Sequence, residues 1–131
     1  EPNPYLIKIG EAVASYLNIS EKTLFFDAPF NTFSSSTTYD VILSLASFFT
    51  QDGRERCSAE EYFSQINQLL ARGGSIFYES TSYKKEKSNP HFIAQSNALN
   101  FIKNNFISVE TWETPSGSEK YFRSFALGKK Y

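Results

Sequence analysis

Three segments of the chain carry apolar residues at helical spacing. The first follows Asn3, whose side chain and the proline after it are typical of a helix N-terminus. The second follows Ser58, because Glu61 three residues later completes a capping-box pattern. The third begins at Asn89 and the next proline. The apolar stripes of these helices are Leu6, Ile9, Val13 and Tyr16, then Tyr62, Ile66, Leu69 and Leu70, then Phe92, Leu99 and Ile102.

Short runs of apolar and aromatic residues predict strands between and after the helices. Residues 39–46, "YDVILSLA", are apolar almost throughout and favour the central strand of a parallel sheet. Residues 23–27, "TLFFD", predict a shorter buried strand, and residues 75–80, "SIFYES", predict another. Residues 106–130 predict an antiparallel hairpin around "PSGSEK", a loop too long for a two-residue turn.

Two adjacent glycines separate the second helix from the strand after it. Arg72 is placed near the carbonyl end of the helix, and Gly73 can adopt the left-handed conformation that ends many helices. A helix followed by a glycine turn and a buried strand is half of a parallel α/β unit. Folds of this class bind ligands at the carboxyl ends of their strands. The sequence therefore predicts an α/β fold with a site at that edge of the sheet.

Composition narrows the possible partners. A chain of 131 residues predicts one domain, and its net charge of -1 provides no general field for nucleic acid or membrane. The cluster "YKKEK" contains an acid and is a weak basis for nucleic-acid binding. The sequence has no apolar run of about 18 residues and no signal-peptide pattern, so we expect a cytoplasmic protein. Cys57 and His91 are the only residues of their types, which excludes cysteine-rich or histidine-rich metal sites, and no metal is expected.

A resemblance to a known family rests on three segments in order. These are "YDVILSLASFF", "EEYFSQINQLLARGGSIFYES" and "ALNFIKNNFISVE", followed by the closing hairpin. Together they resemble the second half of a class I S-adenosylmethionine-dependent methyltransferase, which typically has "fDvI" on its fourth strand and "lLkpGG" before its fifth. The resemblance covers nearly the whole chain. It implies a three-layer, Rossmann-like α/β fold with a mostly parallel sheet and a carboxyl-terminal antiparallel hairpin.

The chain departs from this family at its amino end. Such enzymes begin with a strand and a glycine-rich turn that receives the cofactor, yet the six glycines here lie outside any G-x-G pattern. The expectation is a partial methyltransferase-like domain over residues 1–131, truncated at the amino end and belonging to a longer protein. Without the family's first strands, the strand at residues 39–46 would have an open edge. We expect residues 23–27, a second copy of the chain or an upstream segment to cover it.

The resemblance also implies a site for S-adenosylmethionine. Acidic and small residues at the ends of the family's second, third and fourth strands contact the ribose, the adenine and the methionine portion of this cofactor. The matching positions are Glu1 for the ribose, Asp27 and Ala28 for the adenine, and Ser44, Leu45 and Ala46 for the methionine portion. Each acid has an alternative: Glu1 as a solvated residue, and Asp27 as the cap of the following turn.

The methyl acceptor is expected next to the cofactor. The residues that would face it are Ser47, Phe48 and Phe49, and the candidate general bases are Glu79, Tyr83 and His91. One of the two phenylalanines is expected in the core, because alternation sends neighbouring side chains to opposite sides. His91 has an alternative as a surface or capping residue at a helix start.

Two functions remain open from the sequence. The first is S-adenosylmethionine-dependent methyl transfer to a small-molecule acceptor, with this chain as the carboxyl-terminal part of the catalytic domain. The alternative is a catalytically silent methyltransferase-like module that binds a partner, since the glycine turn is the family's strongest cofactor contact. A strand with a G-x-G turn upstream would favour the enzyme. An exposed sheet edge would also permit a homo-oligomer.

Overall fold

The computed structural model describes residues 3–26, 28–49, 57–83 and 87–131, with the backbone alone at residues 82, 83 and 118–120. The chain divides into two compact units, Glu1–Ser34 and Ser35–Tyr131.

The first unit contains one helix and two short 3₁₀ turns. The elements are α1 (Pro4–Tyr16) and the turns Ser20–Lys22 and Phe30–Thr32. The Asn3 side chain accepts a hydrogen bond from the Tyr5 amide at 3.0 Å, which confirms the predicted N-cap. The apolar stripe of α1 is also present, but each of its four side chains is exposed. An amphipathic pattern therefore specified this helix without specifying what covers it.

The predicted strand at residues 23–27 is wrong for the part of it that the structure describes. Residues 23–26 form no strand, and Asp27 lies outside the described residues. Leu24 and Phe26 are exposed. A strand needs a neighbouring backbone to complete its hydrogen bonds, and an apolar run alone does not supply one.

The second unit is a four-stranded mixed sheet with two helices. Its elements are β1 (Tyr39–Leu45), α2 (Ala59–Leu69), β2 (Leu70–Tyr83), α3 (Pro90–Asn105), β3 (Ile107–Ser116) and β4 (Ser118–Lys129). The strand order is β1-β2-β4-β3, in which β1 and β2 are parallel while β4 is antiparallel to both of its neighbours. The α/β class and the closing hairpin are confirmed. In the described sheet, however, β1 lies at an edge and not at the centre.

The junction of α2 and β2 differs from its prediction. Helix α2 ends at Leu69 and β2 begins at once, so Arg72 and Gly73 lie in the strand. Gly73 does adopt the left-handed conformation, with φ of 76°. At Gly74 a Cβ atom would lie within 3.1 Å of three backbone carbonyl oxygens, two of them from β1. Gly74 thus permits close approach of the two strands, and the glycine pair does not end a helix.

The hairpin is tighter than the sequence predicts. Ser116 pairs with Ser118, so only Gly117, with φ of 61°, separates β3 from β4. The long loop predicted at "PSGSEK" is therefore wrong. A shift in register after Pro115 accommodates this tight connection.

Helices α2 and α3 pack on one face of the sheet, called here the closed face. The N-caps of both were predicted correctly: Ser58 and Glu61 form the capping box, and Asn89 accepts from the His91 amide. The core residues with no exposed surface are Phe63, Ile66, Leu70, Ile76, Tyr78, Ala98, Ile102 and Ala126. Of the stripe predicted for the third helix, Ile102 is fully buried while Phe92 and Leu99 are half-buried. Within the described residues, no helix is both long and apolar enough to cross a bilayer.

Candidate functional site

The carboxyl ends of β1 and β2 form the centre of the candidate site. The two strands run in register, with Ser44 opposite Tyr78 and Leu45 opposite Glu79. Because side chains alternate along a strand, Ser44 and Tyr78 point to the closed face, whereas Leu45 and Glu79 point to the other face. The Ser44 hydroxyl lies 2.9 Å from the hydroxyl of Tyr62 on α2, and both groups are buried.

The chain turns sharply after β1. Ala46 adopts a left-handed conformation with φ of 50°, and its N–H group donates to the carbonyl oxygen of Glu79 at 2.9 Å. The Ser47 hydroxyl donates to the carbonyl oxygen of Leu45, also at 2.9 Å. A non-glycine residue in this conformation is uncommon and is often found at functional sites. Ala46 and Ser47 are exposed, so a ligand can reach this turn.

The two phenylalanines after the turn have different environments. Phe48 is 2% exposed and packs on Tyr62 and Phe63, with ring centroids 5.3 and 5.6 Å away. It is the core member of the pair that alternation predicted. Phe49 is half-buried, and its ring lies edge to face with that of His91 at a centroid distance of 4.4 Å. The predicted acceptor residue Phe49 and the predicted base His91 are therefore brought together.

Helix α3 supplies both a titratable and an amide side chain. His91 lies in its first turn, and burial lowers the pKa of this imidazole below its ordinary value. Gln95 lies one turn further on the same helix face and is buried. Its Oε1 atom accepts a hydrogen bond from the Tyr78 hydroxyl at 2.9 Å. In the described part of the chain, Nε2 of Gln95 has no hydrogen-bond partner.

The two buried phenols act as neutral hydrogen-bonding groups. Burial is the main cause that raises the pKa of both Tyr62 and Tyr78 above the ordinary value for tyrosine. Each hydroxyl therefore keeps its proton at neutral pH. The sequence interpretation missed Tyr62, Tyr78 and Gln95 as site residues. The only available signal was a polar Gln95 on the face of α3 that also carries Ala94, Ala98 and Ile102.

The candidate base Glu79 lies on a different side of the sheet from His91. Its carboxylate is buried and accepts a hydrogen bond from the Arg123 guanidinium at 2.8 Å. This ion pair spans from β2 to β4 on the face away from α2 and α3. The third candidate, Tyr83, pairs with Tyr121 through its backbone at the end of β2, and its side chain lies outside the described part.

The residues predicted for the cofactor are only partly described. Glu1 and Asp27 lie outside the described residues, and Ala28 belongs to the first unit. Ser44, Leu45 and Ala46 belong to the second unit, at the end of β1 and the turn after it. The proposed contacts of this set with S-adenosylmethionine stay predictions.

Of three comparisons with known proteins, only the one with solved structures finds matches. No protein-family model matches the chain, and no curated protein sequence matches it. Among solved structures, MccD matches with a TM-score of 0.74 at 11% identity, over 100% of this chain and 78% of that one. The N-methyltransferase NodS from Bradyrhizobium japonicum WM9 matches with a TM-score of 0.65 at 12% identity, over 99% and 70%. The S-adenosylmethionine-dependent methyltransferase SibL matches with a TM-score of 0.65 at 12% identity, over 98% and 41%.

The chain has a methyltransferase-like fold. Likeness at such low identity concerns the architecture, and it agrees with the α/β class predicted from the sequence. NodS has also been solved in complex with S-adenosyl-l-homocysteine, so that neighbour binds the demethylated cofactor. The chain spans between 41% and 78% of these three neighbours.

Proposed function

We propose that this chain takes part in S-adenosylmethionine-dependent methyl transfer and that the methyl acceptor is a small molecule. The observation that carries the proposal is the position of β4. This antiparallel strand lies between β2 and β3, beside a parallel pair whose carboxyl ends collect polar and aromatic side chains. The likeness in fold to NodS and SibL supports it.

The end of β1 is suited to the methionine portion of the cofactor. Leu45, Ala46 and Ser47 are exposed there, while the hydrogen bonds from Ala46 and Ser47 to backbone carbonyls hold the turn in shape. A ligand bound at the carboxyl end of a parallel pair would contact this turn. The rigid turn would fix position, and position is the main contribution that a protein makes to an in-line methyl transfer.

S-adenosylmethionine, when bound, supplies a methyl carbon attached to a sulfonium. The chain's own contribution is to orient the acceptor and to receive its proton. His91 is suited to the second task, because burial lowers the pKa of its imidazole and leaves the ring neutral at neutral pH. Phe49 contacts the His91 ring and would hold it in place beside the acceptor.

A small acceptor agrees with the aromatic contact at the site and with the charge of the chain. The ring of Phe49 contacts that of His91 at a centroid distance of 4.4 Å, and both side chains are half-buried. Partly buried aromatic side chains beside a few polar groups are typical of sites for small ligands. The net charge of -1 also provides no general attraction for a polyanion.

Calorimetric titration with S-adenosyl-l-homocysteine tests the proposal. The natural protein that contains this chain should bind it with a micromolar dissociation constant, whereas residues 1–131 alone should bind weakly or not at all, for lack of a glycine turn. Asp27→Ala in the natural protein should weaken binding by about 1 to 3 kcal/mol, with little change in stability. Asp40→Ala is the matched control, since Asp40 is exposed in β1 and lies away from its carboxyl end.

Two results would count against the proposal. Absence of binding in the natural protein would leave the silent interaction module as the better interpretation. An Asp27→Ala variant that binds normally but unfolds at a much lower temperature would return that residue to the role of a turn cap.

A further inference from the structure

Buried polar side chains are concentrated at one end of the closed face. Ser44, Ser80, Gln95 and Ser124 are only 2%, 3%, 4% and 1% exposed. Ser80 and Ser124 are cross-strand partners on β2 and β4, and Ser44 pairs with Tyr78 two residues before Ser80. All of these positions lie at the carboxyl end of β2, beyond the apolar core around Ile76. Polar groups are costly to bury unless their hydrogen bonds are satisfied.

Of these four groups, Ser44 and Ser124 form hydrogen bonds with other side chains, whereas Gln95 is satisfied at only one of its two polar atoms. Ser44 shares a hydrogen bond with Tyr62 at 2.9 Å, and the Ser124 hydroxyl donates to Glu113 at 3.1 Å. Gln95 accepts from Tyr78 through Oε1, but its Nε2 group has no partner among the described residues. A buried N–H donor without an acceptor is rare in folded proteins and calls for an explanation. A ligand oxygen is one acceptor that would complete it.

The position of Gln95 on α3 places it next to the candidate acceptor site. His91 is four residues earlier, so the two side chains lie on the same helix face, one turn apart. His91 and Phe49 are both half-buried and in contact, which puts this ring pair at the outer end of that face. The unpartnered amide is thus one helical turn inside the ring pair. An acceptor bound beside His91 would have this amide one helical turn away.

The chemistry of the surrounding groups indicates which oxygen would fit. Burial raises the pKa of Tyr62 and Tyr78, so both remain neutral phenols, and the Gln95 amide is neutral as well. A carboxylate buried among neutral groups would lack a charged partner, which is expensive. A carbonyl oxygen carries no net charge and accepts hydrogen bonds from N–H and O–H donors. The unpartnered N–H donor of Gln95, set among neutral groups, therefore matches a carbonyl oxygen.

We propose that Gln95 is a specificity-determining residue for the methyl acceptor, whose carbonyl oxygen accepts a hydrogen bond from Nε2. The inference rests on the proposed function and extends it to the acceptor's chemistry. Gln95 would favour compounds with a carbonyl group over compounds in which an apolar group replaces that carbonyl. Binding of the latter carries a penalty, because they leave the buried amide without a partner.

Two matched probes test this selectivity in the full chain. Acetophenone and ethylbenzene each consist of a phenyl ring with a two-carbon side chain. Acetophenone has a carbonyl group where ethylbenzene has a methylene group. The readout is the ratio of their dissociation constants, in which a general loss of apolar contact cancels. Gln95→Leu should shift this ratio toward ethylbenzene by about 3- to 10-fold, the value of one neutral hydrogen bond. Asn97→Leu is the control, because it makes the same kind of change at an exposed position of α3.

A second readout does not depend on any variant. In a ¹⁵N-labelled chain, acetophenone should shift the side-chain amide signals of Gln95, and ethylbenzene should shift them much less. Unchanged amide signals at saturating acetophenone would overturn the proposal, as would an unchanged ratio in Gln95→Leu or no binding of either probe. Neither readout requires cofactor, so failure here is distinct from failure to bind S-adenosyl-l-homocysteine.

Discussion

The two faces of the sheet contrast most clearly along β1. On the face away from α2 and α3, called here the open face, Val41, Leu43 and Leu45 are 59%, 63% and 51% exposed. On the closed face, the polar Ser44 is almost fully buried. This is the reverse of what hydropathy alone predicts. Burial of Ser44 is stabilised by its hydrogen bond with Tyr62, whereas no described element of the second unit covers the aliphatic residues.

The open face is itself divided into two parts. Near β3 and β4, Trp112 stacks on Phe125 at a centroid distance of 5.2 Å and an interplanar angle of 7°. Phe77 contacts both rings, at 5.9 and 6.0 Å. These aromatic side chains shield one another, and the aliphatic residues of β1 have no such mutual cover. Substitutions on the two faces are therefore expected to differ in their effect on the free energy of unfolding.

The largest effect is expected from a truncation on the closed face. Phe63 is fully buried and contacts the rings of Phe48, Tyr62, Tyr78 and Phe101. Phe63→Ala should lower the free energy of unfolding by about 3 to 5 kcal/mol, because a cavity replaces a large aromatic group. Denaturant unfolding measures the loss. A loss below about 1 kcal/mol would mean that the closed face is not packed as described.

A smaller effect is expected from the buried hydrogen bond between Ser44 and Tyr62. A double-mutant cycle with Ser44→Ala and Tyr62→Phe should give a coupling of about 0.5 to 1.5 kcal/mol in the free energy of unfolding. Ser64→Ala combined with Tyr62→Phe provides the control pair, since Ser64 shares the helix but has no bond to that hydroxyl among those described. Additive losses in the first cycle would show that the two hydroxyls do not interact in solution.

The sequence predicted those elements whose signals are local. Capping residues correctly predicted the starts of all three helices. A capping side chain accepts a hydrogen bond from a backbone amide no more than three residues away, so its signal is local. The α/β class also followed from the order of elements, with support from the family resemblance. These features need no knowledge of distant parts of the chain.

The failures concern partners that are distant in sequence. "TLFFD" has strand composition but no strand in its described residues, and "YDVILSL" forms an edge strand although its apolar run predicted a central one. Gly73 has the expected conformation, but Gly74 is needed for approach to β1, more than 30 residues earlier. The same limit applies to the residues of the candidate site. Gln95 was missed because its role depends on a hydrogen bond from Tyr78, and no local sequence pattern connects a residue of α3 with one of β2.

A modest effect of pH on the free energy of unfolding is expected from His91, which lies where the closed face meets solvent. Burial lowers the pKa of His91 from its ordinary value of 6.5, so the unfolded chain binds a proton more readily than the native chain does. The neutral ring's contribution to stability is therefore present above about pH 6.5 and is lost as the pH falls through the native pKa.

Proton NMR titration of the His91 ring measures this effect. The midpoint in the native chain should lie below that of the same chain in denaturant. Phe49→Ala should move the native midpoint upward, because it removes a group that contacts and helps to bury the ring. A native midpoint equal to or above the denatured one would contradict the described burial.

The smallest effect is expected on the open face. Leu43 is already 63% exposed, so Leu43→Thr, which keeps a residue favourable in strands, should change the free energy of unfolding by no more than about 0.5 kcal/mol. Ile76→Thr is the matched change on the closed face, where burying a hydroxyl in place of apolar atoms should cost about 2 kcal/mol or more. If Leu43→Thr instead cost as much as Ile76→Thr, something would cover the open face in solution. Repeating the measurement at several protein concentrations would then identify a second copy of the chain, since only self-association makes the loss depend on concentration.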